Sequence, residues 1–283
     1  MADMNKSTPG AKRDKRFRMI PLRAMAPNLV TLLALCFGLT SIRLAIEGDY
    51  RLAIGAVVFA AVLDGLDGRV ARLLKSSSKF GAELDSLTDF VNFGVAPAII
   101  LYTWVLNDVK SLGWIAALVF AISAGLRLAR FNVAIDDPDA AKSSTDFFTG
   151  VPAPAGAIIV LLPIYLEQLG LPKSAVSAPL VLVYTLIVAY LLISRLPTWS
   201  GKNFGKRIRP DFVVLLLIGS VAAVALLLSY PFECLTVVAV GYIITLPLGW
   251  RAWKKARHAE QLDMAEDDAE NIVSLSKREG EDG

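Results

Sequence analysis

The sequence predicts an all-α integral membrane protein with about eight transmembrane helices. Of its 283 residues, 55% are hydrophobic and only 19% are charged, and the mean hydropathy is +0.54. Soluble domains usually contain about 45–50% apolar and about 25% charged residues. Apolar segments of about 20 residues, the length of helix that crosses a bilayer, also recur along the whole chain. This excess of apolar surface indicates that the bilayer is the solvent.

Eight segments have the length and composition of membrane spans. They cover roughly 28–47, 52–74, 82–106, 112–132, 152–169, 176–195, 211–230 and 232–250. Most connections are short and contain residues typical of turns, such as Gly48-Asp49 and Tyr230-Pro231. The two longer connections, 133–151 and 196–210, contain proline, glycine and charged residues. No internal repeat of the kind found in transporters is present in the sequence.

The distribution of basic residues predicts the orientation in the membrane. With a cytoplasmic N-terminus, the basic N-terminal arm, the 196–210 connection and the stretch after residue 250 all lie in the cytoplasm. The opposite side keeps only Arg51, Lys110 and Lys173 near its short loops. This is the positive-inside pattern, and an even number of spans places both termini in the cytoplasm. We therefore expect a basic tail (1–26), a transmembrane domain (27–250) and a charged C-terminal tail (251–283).

The composition also limits the partners and the chemistry. A basic N-terminal arm can bind nucleic acid, but beside a membrane domain it favours anionic lipid, so no nucleic acid partner is expected. The single histidine, His258, lies in the C-terminal tail, which argues against a histidine-based mechanism. Cys36 and Cys234 lack the spacing of metal ligands.

Carboxylates inside the second and third spans are the main functional signal, because buried charges are expensive in a membrane. Helical geometry of about 100° per residue arranges them in strips. One strip contains Asp64, Asp67, Gly68 and Ala71, with Arg72 at its edge, and the other contains Gly81, Asp85, Asp89 and Asn92. Glu83 lies on the other face of the third span. The loop at 75–79 is short, so the two helices are expected to be antiparallel neighbours with facing strips.

Four carboxylates in one pocket repel each other unless cations lie among them. Hard oxygen ligands favour Mg²⁺ or Mn²⁺ over zinc. Two such ions about 4 Å apart stabilise displacement at phosphorus, and an arginine such as Arg72 pairs well with phosphate. The sequence therefore predicts a two-metal site between the second and third helices.

The full spacing, Asp-x2-Asp-Gly-x2-Ala-Arg-x8-Gly-x3-Asp-x3-Asp, fixes eight positions over 26 residues, and the chain satisfies all of them. It resembles the signature of the CDP-alcohol phosphotransferases. The resemblance implies that Asp64, Asp67, Asp85 and Asp89 bind two divalent ions, Mg²⁺ or Mn²⁺, and that Asp89 is also the general base. It assigns the CDP-diacylglycerol head group to Gly68, Ala71, Arg72 and Gly81. Asn28, Thr31 and Ser78 would complete the nucleotide site.

Four further stretches, 27–31, 80–97, 125–132 and 148–154, are similar to the membrane-embedded bacterial branch of the family whose acceptor is L-serine. The similarity covers about residues 25–155, and the remaining spans match only in hydropathy. Asn92 stands where many relatives have serine. The resemblance implies phosphatidyl transfer from CDP-diacylglycerol to L-serine, a homodimer among membrane lipid, and a bacterial inner membrane location.

Arg127 and Arg130 are candidates for holding the carboxylate of the acceptor. They are three residues apart on one helical face, near the cytoplasmic end of the fourth span, and Asn132 follows them. The competing interpretation is that these arginines only anchor the helix or contact lipid phosphate.

Two alternative functions stay open at this stage. The first keeps the chemistry and changes the acceptor to glycerol phosphate, inositol phosphate or choline. The second is a cation transporter, which predicts carboxylates distributed along a path through the membrane, whereas here they cluster in two adjacent helices. A structural scaffold would leave the buried acids unexplained.

Overall fold

The computed structural model describes residues 22–74, 78–136, 147–172, 177–194, 197–199, 211–247 and 249. The C-terminal tail predicted at 251–283 lies outside these residues, as does the tail predicted at 1–26 up to residue 21. Most of the basic 196–210 connection lies outside them too. The described residues contain all eight fixed positions of the aspartate motif in the second and third predicted spans.

Helices occupy all eight predicted segments, with ends that differ by a few residues. They are α1 (Leu22–Ile46), α2 (Tyr50–Leu73), α3 (Lys79–Asp89), α4 (Ala96–Trp104), α5 (Lys110–Asp136), α6 (Ala153–Val160), α7 (Leu162–Gln168), α8 (Ala178–Ile193), α9 (Asp211–Ser229) and α10 (Pro231–Pro247). The third predicted span is divided into α3 and α4, and the fifth into α6 and α7. The protein is thus predominantly helical, as predicted.

Within the described part of the chain, three stretches of helix are long and apolar enough to cross a membrane: Met25–Ile46, Lys79–Trp104 and Leu106–Ala134. A fourth span is possible if Val214–Ser229 and Pro231–Pro247, which are bent by 114°, form one unit. Helix α2 is not one of these stretches, because it is too rich in charged residues. Every 18-residue stretch of α2 contains at least three of them, the motif aspartates included. The structure is that of a membrane protein, and the count of eight spans stays a prediction.

The helix boundaries have identifiable causes in the sequence. Asp49 caps α2, since its Oδ1 accepts a hydrogen bond of 3.2 Å from the Leu52 amide. Between α3 and α4 lies a π-helical turn, Phe90–Val95, in which the Ala96 amide donates to the Val91 carbonyl. Pro97 has no amide proton for the ordinary α-helical bond, which favours this wider turn. Such turns occur frequently at functional sites, and this one directly follows Asp89.

The core forms where α1 packs along α2 and where α5 packs against α8. Large buried side chains include Ile100, Phe120 and Leu192. Tyr165 of α7 and Phe232 of α10 are in ring contact, with centroids 6.4 Å apart. Packing against α1 buries one side of α2 and leaves the other side exposed, so this helix has both a packed face and an outer face.

A two-stranded ribbon is a departure from the all-α prediction within the described residues. Strand β1 (Phe147–Thr149) pairs antiparallel with β2 (Pro197–Trp199). The strands come from the two longer connections, which sequence patterning left without structure. Gly150, with a φ of +82°, follows β1, and a side chain there would meet the Ser194 carbonyl at 2.8 Å. The ribbon therefore joins the chain before α6 to the chain after α8.

A tight contact between α1 and the π-helical turn leads to a test of the packing. A Cβ atom at Gly38 would overlap the side-chain oxygen of Asn92. Asn92 is fully buried, and neither of its amide atoms has a hydrogen-bond partner among the described residues. Since overpacking costs about 1–3 kcal/mol, we expect Gly38→Ala to lower the free energy of unfolding by that amount. The thermal unfolding midpoint of the purified protein measures this change.

The control is the double variant Gly38→Ala with Asn92→Ala, which removes the atoms that the new methyl group meets. It is expected to be more stable than Gly38→Ala alone, because contacting residues couple in a double-mutant cycle. If the loss of stability in the double variant equalled the sum of the losses in the two single variants, the direct contact would be contradicted.

Candidate active site

Three aspartates from the facing strips converge between α2 and α3. One carboxylate oxygen each from Asp64, Asp67 and Asp85 lies within 4.8 Å of the other two. Asp67 is 5% exposed, while the other two are partly buried. Carboxylates this close in a partly dry environment repel strongly without a counter-charge. The arrangement predicted from helical periodicity is therefore present in the fold.

Asp89 lies beside this group of three. Its carboxyl group is within hydrogen-bonding reach of Asp64. Its Oδ1 is buried and has no hydrogen-bond partner among the described residues. An unpaired buried oxygen is costly, which favours a ligand that would satisfy it. Asp89 is therefore adjacent to the group through Asp64, at the start of the π-helical turn.

Thr31 orients one of the aspartates. The Thr31 hydroxyl donates to Asp67 Oδ2 at 2.7 Å and lies 3.1 Å from the Pro27 carbonyl oxygen. Thr31 itself is buried in α1. The family resemblance placed Thr31 in the nucleotide site. The structure shows in addition that the Thr31 hydroxyl holds the carboxylate of Asp67 in position. Thr31 lies in α1 and Asp67 lies 36 residues later in α2, so the periodicity of residues within one helix could not predict this hydrogen bond.

A pocket of about 720 Å³ opens beside the acidic group. It is lined by Pro27, Asn28, Asp67, Gly68, Ala71, Arg72, Ser78, Gly81, Ala82 and Asp85. Six residues that the resemblance assigned to the CDP-lipid are among them: Asn28, Gly68, Ala71, Arg72, Ser78 and Gly81. Pro27 and Ala82 were not anticipated, although each directly precedes or follows an anticipated residue.

Small residues and caps give this pocket its shape. Ser78 caps α3, accepting a hydrogen bond of 3.0 Å from the Gly81 amide through its Oγ. A Cβ atom at Gly81 would lie 2.9 Å from Asn28 Oδ1 and 3.2 Å from Ser78 Oγ, so only glycine fits without displacement. A Cβ at Gly68 would meet nothing within 4 Å. Arg72 Nε donates to the Gly68 carbonyl at 3.1 Å, which holds the guanidinium at the pocket wall.

The candidate acceptor residues lie at the same end of the fold but make separate contacts. Arg127 donates to the Val151 carbonyl, lies over the Phe131 ring at 5.8 Å and interacts electrostatically with Asp89. Arg130 donates to the Ile193 carbonyl at 2.8 Å, at the C-terminal end of α8. Asn132 Nδ2 donates to Ser86 Oγ at 2.9 Å, beside Asp85. Asn132 therefore contacts the helix that carries Asp85 and Asp89, Arg127 is influenced electrostatically by Asp89, and Arg130 ties α5 to α8.

The donor set fits a divalent cation that prefers oxygen. Among the described residues, this cluster contains carboxylates only, which suits Mg²⁺ or Mn²⁺ rather than metals that favour nitrogen or sulfur. Asp89 Oδ1, which is buried and has no hydrogen-bond partner in the described part of the chain, adds a further acceptor next to the three converged carboxylates. A phosphate group held near such ions would find Arg72 at the wall of the same pocket.

The fold and the site together define a helical membrane protein with an acidic, metal-compatible pocket. Residues 24–228 match the CDP-alcohol phosphatidyltransferase family, and residues 211–247 match CDP-alcohol phosphatidyltransferase 2. Because the first match covers more than half of the chain, the protein belongs to the CDP-alcohol phosphatidyltransferase family.

Individual relatives cover most of the chain. A Mycobacterium leprae protein named CDP-diacylglycerol–serine O-phosphatidyltransferase is 39% identical over 239 residues, which are 83% of this chain and 77% of that protein. Proteins of the same name from Mycobacterium tuberculosis and Helicobacter pylori are 36% and 33% identical. These matches cover 84% and 79% of this chain, and 82% and 90% of the relatives.

Proposed function

We propose that this protein transfers the phosphatidyl group of CDP-diacylglycerol to L-serine, giving phosphatidylserine and CMP. The observation that carries the proposal is the convergence of Asp64, Asp67 and Asp85 at a pocket whose wall contains Arg72. The relatives at 33–39% identity that are named as serine phosphatidyltransferases support the choice of substrates. The family assignment supports the reaction class.

Asp64, Asp67, Asp85 and Asp89 are proposed to hold two divalent cations, Mg²⁺ or Mn²⁺. When bound, such ions neutralise the diphosphate and polarise the phosphorus under attack. Thr31 keeps Asp67 oriented toward the cluster through its hydrogen bond. The close approach of three carboxylates supports this assignment, because cations among them would relieve their mutual repulsion.

The CDP head group is proposed to occupy the pocket of about 720 Å³. Gly68, Ala71 and Gly81 have little or no side chain, so they let the ligand approach the backbone closely. Arg72 pairs with phosphate oxygen. Asn28 and Ser78 supply polar groups at the opposite wall, with Thr31 behind Asp67.

Asp89 is proposed as the general base. It accepts the proton of the serine hydroxyl while the serine oxygen forms a bond to the phosphorus that bears diacylglycerol. The bond from that phosphorus to the CMP oxygen breaks, and CMP leaves with the electron pair and its negative charge. Arg72 stabilises that charge by pairing with it. Neither of the cysteines nor the single histidine falls in the motif, which favours direct attack over a covalent intermediate.

Arg127, Arg130 and Asn132 are proposed to form the acceptor side of the site. The electrostatic interaction of Arg127 with Asp89 supports a place for the serine carboxylate close to the base. The bond from Asn132 to Ser86 connects α5 to the helix that carries Asp85 and Asp89. Arg130 is proposed to support this wall through its bond to the end of α8.

The membrane arrangement is proposed as eight spans with both termini in the cytoplasm of a bacterial inner membrane. The positive-inside distribution of Lys and Arg supports the orientation. The tails at 1–26 and 251–283 would flank the transmembrane domain, with the basic arm touching anionic lipid. A homodimer is proposed from the family resemblance.

The test is product analysis by mass spectrometry with purified protein in detergent, CDP-diacylglycerol and Mg²⁺ or Mn²⁺. Serine, glycerol phosphate, inositol phosphate and choline are supplied separately. Phosphatidylserine formed only with serine, and lost on chelation of the metal, is the expected result. Product formed only with another alcohol would contradict serine as the acceptor while keeping the chemistry, and no product with any alcohol would contradict the reaction.

A further inference from the structure

A second, smaller pocket lies on the outer side of α2. It has a volume of about 370 Å³ and is lined by Arg69, Arg72 and Leu73. Among the described residues that line the two pockets, Arg72 is the one that belongs to both. Arg69 is exposed and is not one of the eight fixed positions of the aspartate motif. The small pocket thus adjoins the head-group pocket at Arg72, near the C-terminal end of α2.

Helical geometry explains why Arg69 is unusual. At about 100° per residue, Arg69 falls on the same face as Val62, Leu66 and Leu73. These apolar neighbours are 48%, 44% and 81% exposed, respectively. In a membrane protein an exposed apolar stripe faces lipid chains, so Arg69 lies on the lipid-facing side. An arginine near the end of such a helix extends toward the phosphate layer of the bilayer.

The order of side chains around α2 connects the bilayer to the site. Asp67 lies roughly opposite Arg69, and Arg72 lies about 60° from Arg69, between the lipid face and the Gly68 side of the acidic strip. A substrate with two acyl chains approaches from the bilayer, and its phosphates must travel from the lipid surface to the aspartates. Arg69 and then Arg72 place two positive charges along that route, each able to pair with a phosphate.

We propose that Arg69 binds the phosphate of the lipid substrate at a lateral entrance between α2 and the bilayer, before the head group reaches Arg72 and the aspartates. This inference rests on the proposed function for the identity of the lipid. Arg69 then acts on capture of CDP-diacylglycerol and does not touch the reacting atoms in the chemical step. Removing the charge of Arg69 is therefore expected to raise KM for the lipid and to leave kcat unchanged.

The kinetic test compares Arg69→Gln with the wild type in neutral detergent micelles at varied surface concentrations of CDP-diacylglycerol. We expect KM for the lipid to rise up to about fivefold, the upper end of the effect of one exposed ion pair, with kcat and KM for serine unchanged. Arg69→Lys should restore most of the lost affinity, since it keeps the charge. A fall in kcat at unchanged KM, or no change, would overturn the proposal.

The matched control is Arg43→Gln, which removes the same charge from an exposed position near the far end of α1, where Arg43 pairs with Glu47 at 2.8 Å. It is expected to leave the KM for CDP-diacylglycerol unchanged. An equal rise in both variants would show a general effect of net charge and would contradict a local entrance at Arg69.

Two binding measurements separate this inference from the reaction itself. Retention of radiolabelled CDP-diacylglycerol by the purified protein, with serine omitted, should be weaker in Arg69→Gln, even if serine is not the acceptor. Free CDP has no acyl chains and enters from water. Its inhibition constant, corrected for the affinity of each protein for the lipid, should be the same in the variant and the wild type. Equal retention of the lipid, or weaker competition by CDP in the variant, would overturn the lateral entrance.

Discussion

Replacing Asp85 by asparagine is expected to lower CMP release by at least about 10³-fold. Removing one carboxylate from the converged group weakens the cation site, and metal stabilisation of the transition state contributes several kcal/mol, at about 1.4 kcal/mol for each factor of ten. The measurement is the initial rate of serine-dependent CMP release from CDP-diacylglycerol at saturating metal.

The matched control for Asp85→Asn is Glu83→Gln. Glu83 lies two residues earlier on the same helix, is exposed, and is not part of the aspartate group. Its variant should retain the activity of the wild type. If both variants lost activity equally, the loss would reflect disturbance of α3, and the special role of Asp85 would be refuted.

Replacing Asp89 by asparagine is expected to lower kcat by about 10²–10⁴-fold, the usual contribution of a general base. The head-group contacts at Gly68 and Arg72 stay in place, so binding of CDP-diacylglycerol should be retained. Rapid-quench turnover measures the first quantity, and equilibrium retention of labelled lipid without serine measures the second.

Asp108→Asn provides the comparison for this variant. Asp108 is exposed in the short turn Leu106–Val109, which follows the C-terminal end of α4 and lies away from Asp89 at the end of α3. The Asp108→Asn variant should have the same kcat as the wild type. Normal turnover by Asp89→Asn would exclude its role as the base, and loss of lipid binding with unchanged kcat would assign Asp89 to binding alone.

Helical periodicity predicted that aspartates of the second and third spans would lie close together. The i, i+3 and i, i+4 spacings place Asp64, Asp67 and Asp85 on facing strips, and the short loop at 75–79 makes antiparallel neighbours the simplest arrangement. The structure confirms that these three carboxylates converge. Local spacing works here because each strip lies within one helix.

Other features depend on contacts between distant parts of the chain. The bond from Thr31 to Asp67 joins α1 to α2, and the bond from Asn132 to Ser86 joins α5 to α3. Periodicity within one helix carries no information on such pairs. The π-helical turn at Phe90–Val95 also escaped prediction, although Pro97 was a signal that an ordinary helical hydrogen bond would be missing nearby.

The ribbon between β1 and β2 shows the same limit. Its strands are three residues long and are separated by about 50 residues of sequence, including all of α6, α7 and α8. Strands this short give no reliable alternation of apolar and polar residues. Their pairing follows from the positions of the helices, which the sequence pattern alone did not define.

The most direct test of the two-metal site is the binding of Mn²⁺ to the purified protein, measured by electron paramagnetic resonance with a parallel count of bound metal. Two ions per chain with a spin-coupled signal, as expected for ions about 4 Å apart, are the predicted result, and Asp85→Asn should lose the coupled signal while Glu83→Gln keeps it. A single uncoupled ion, or an identical signal in Asp85→Asn, would contradict a two-metal site formed by Asp64, Asp67, Asp85 and Asp89.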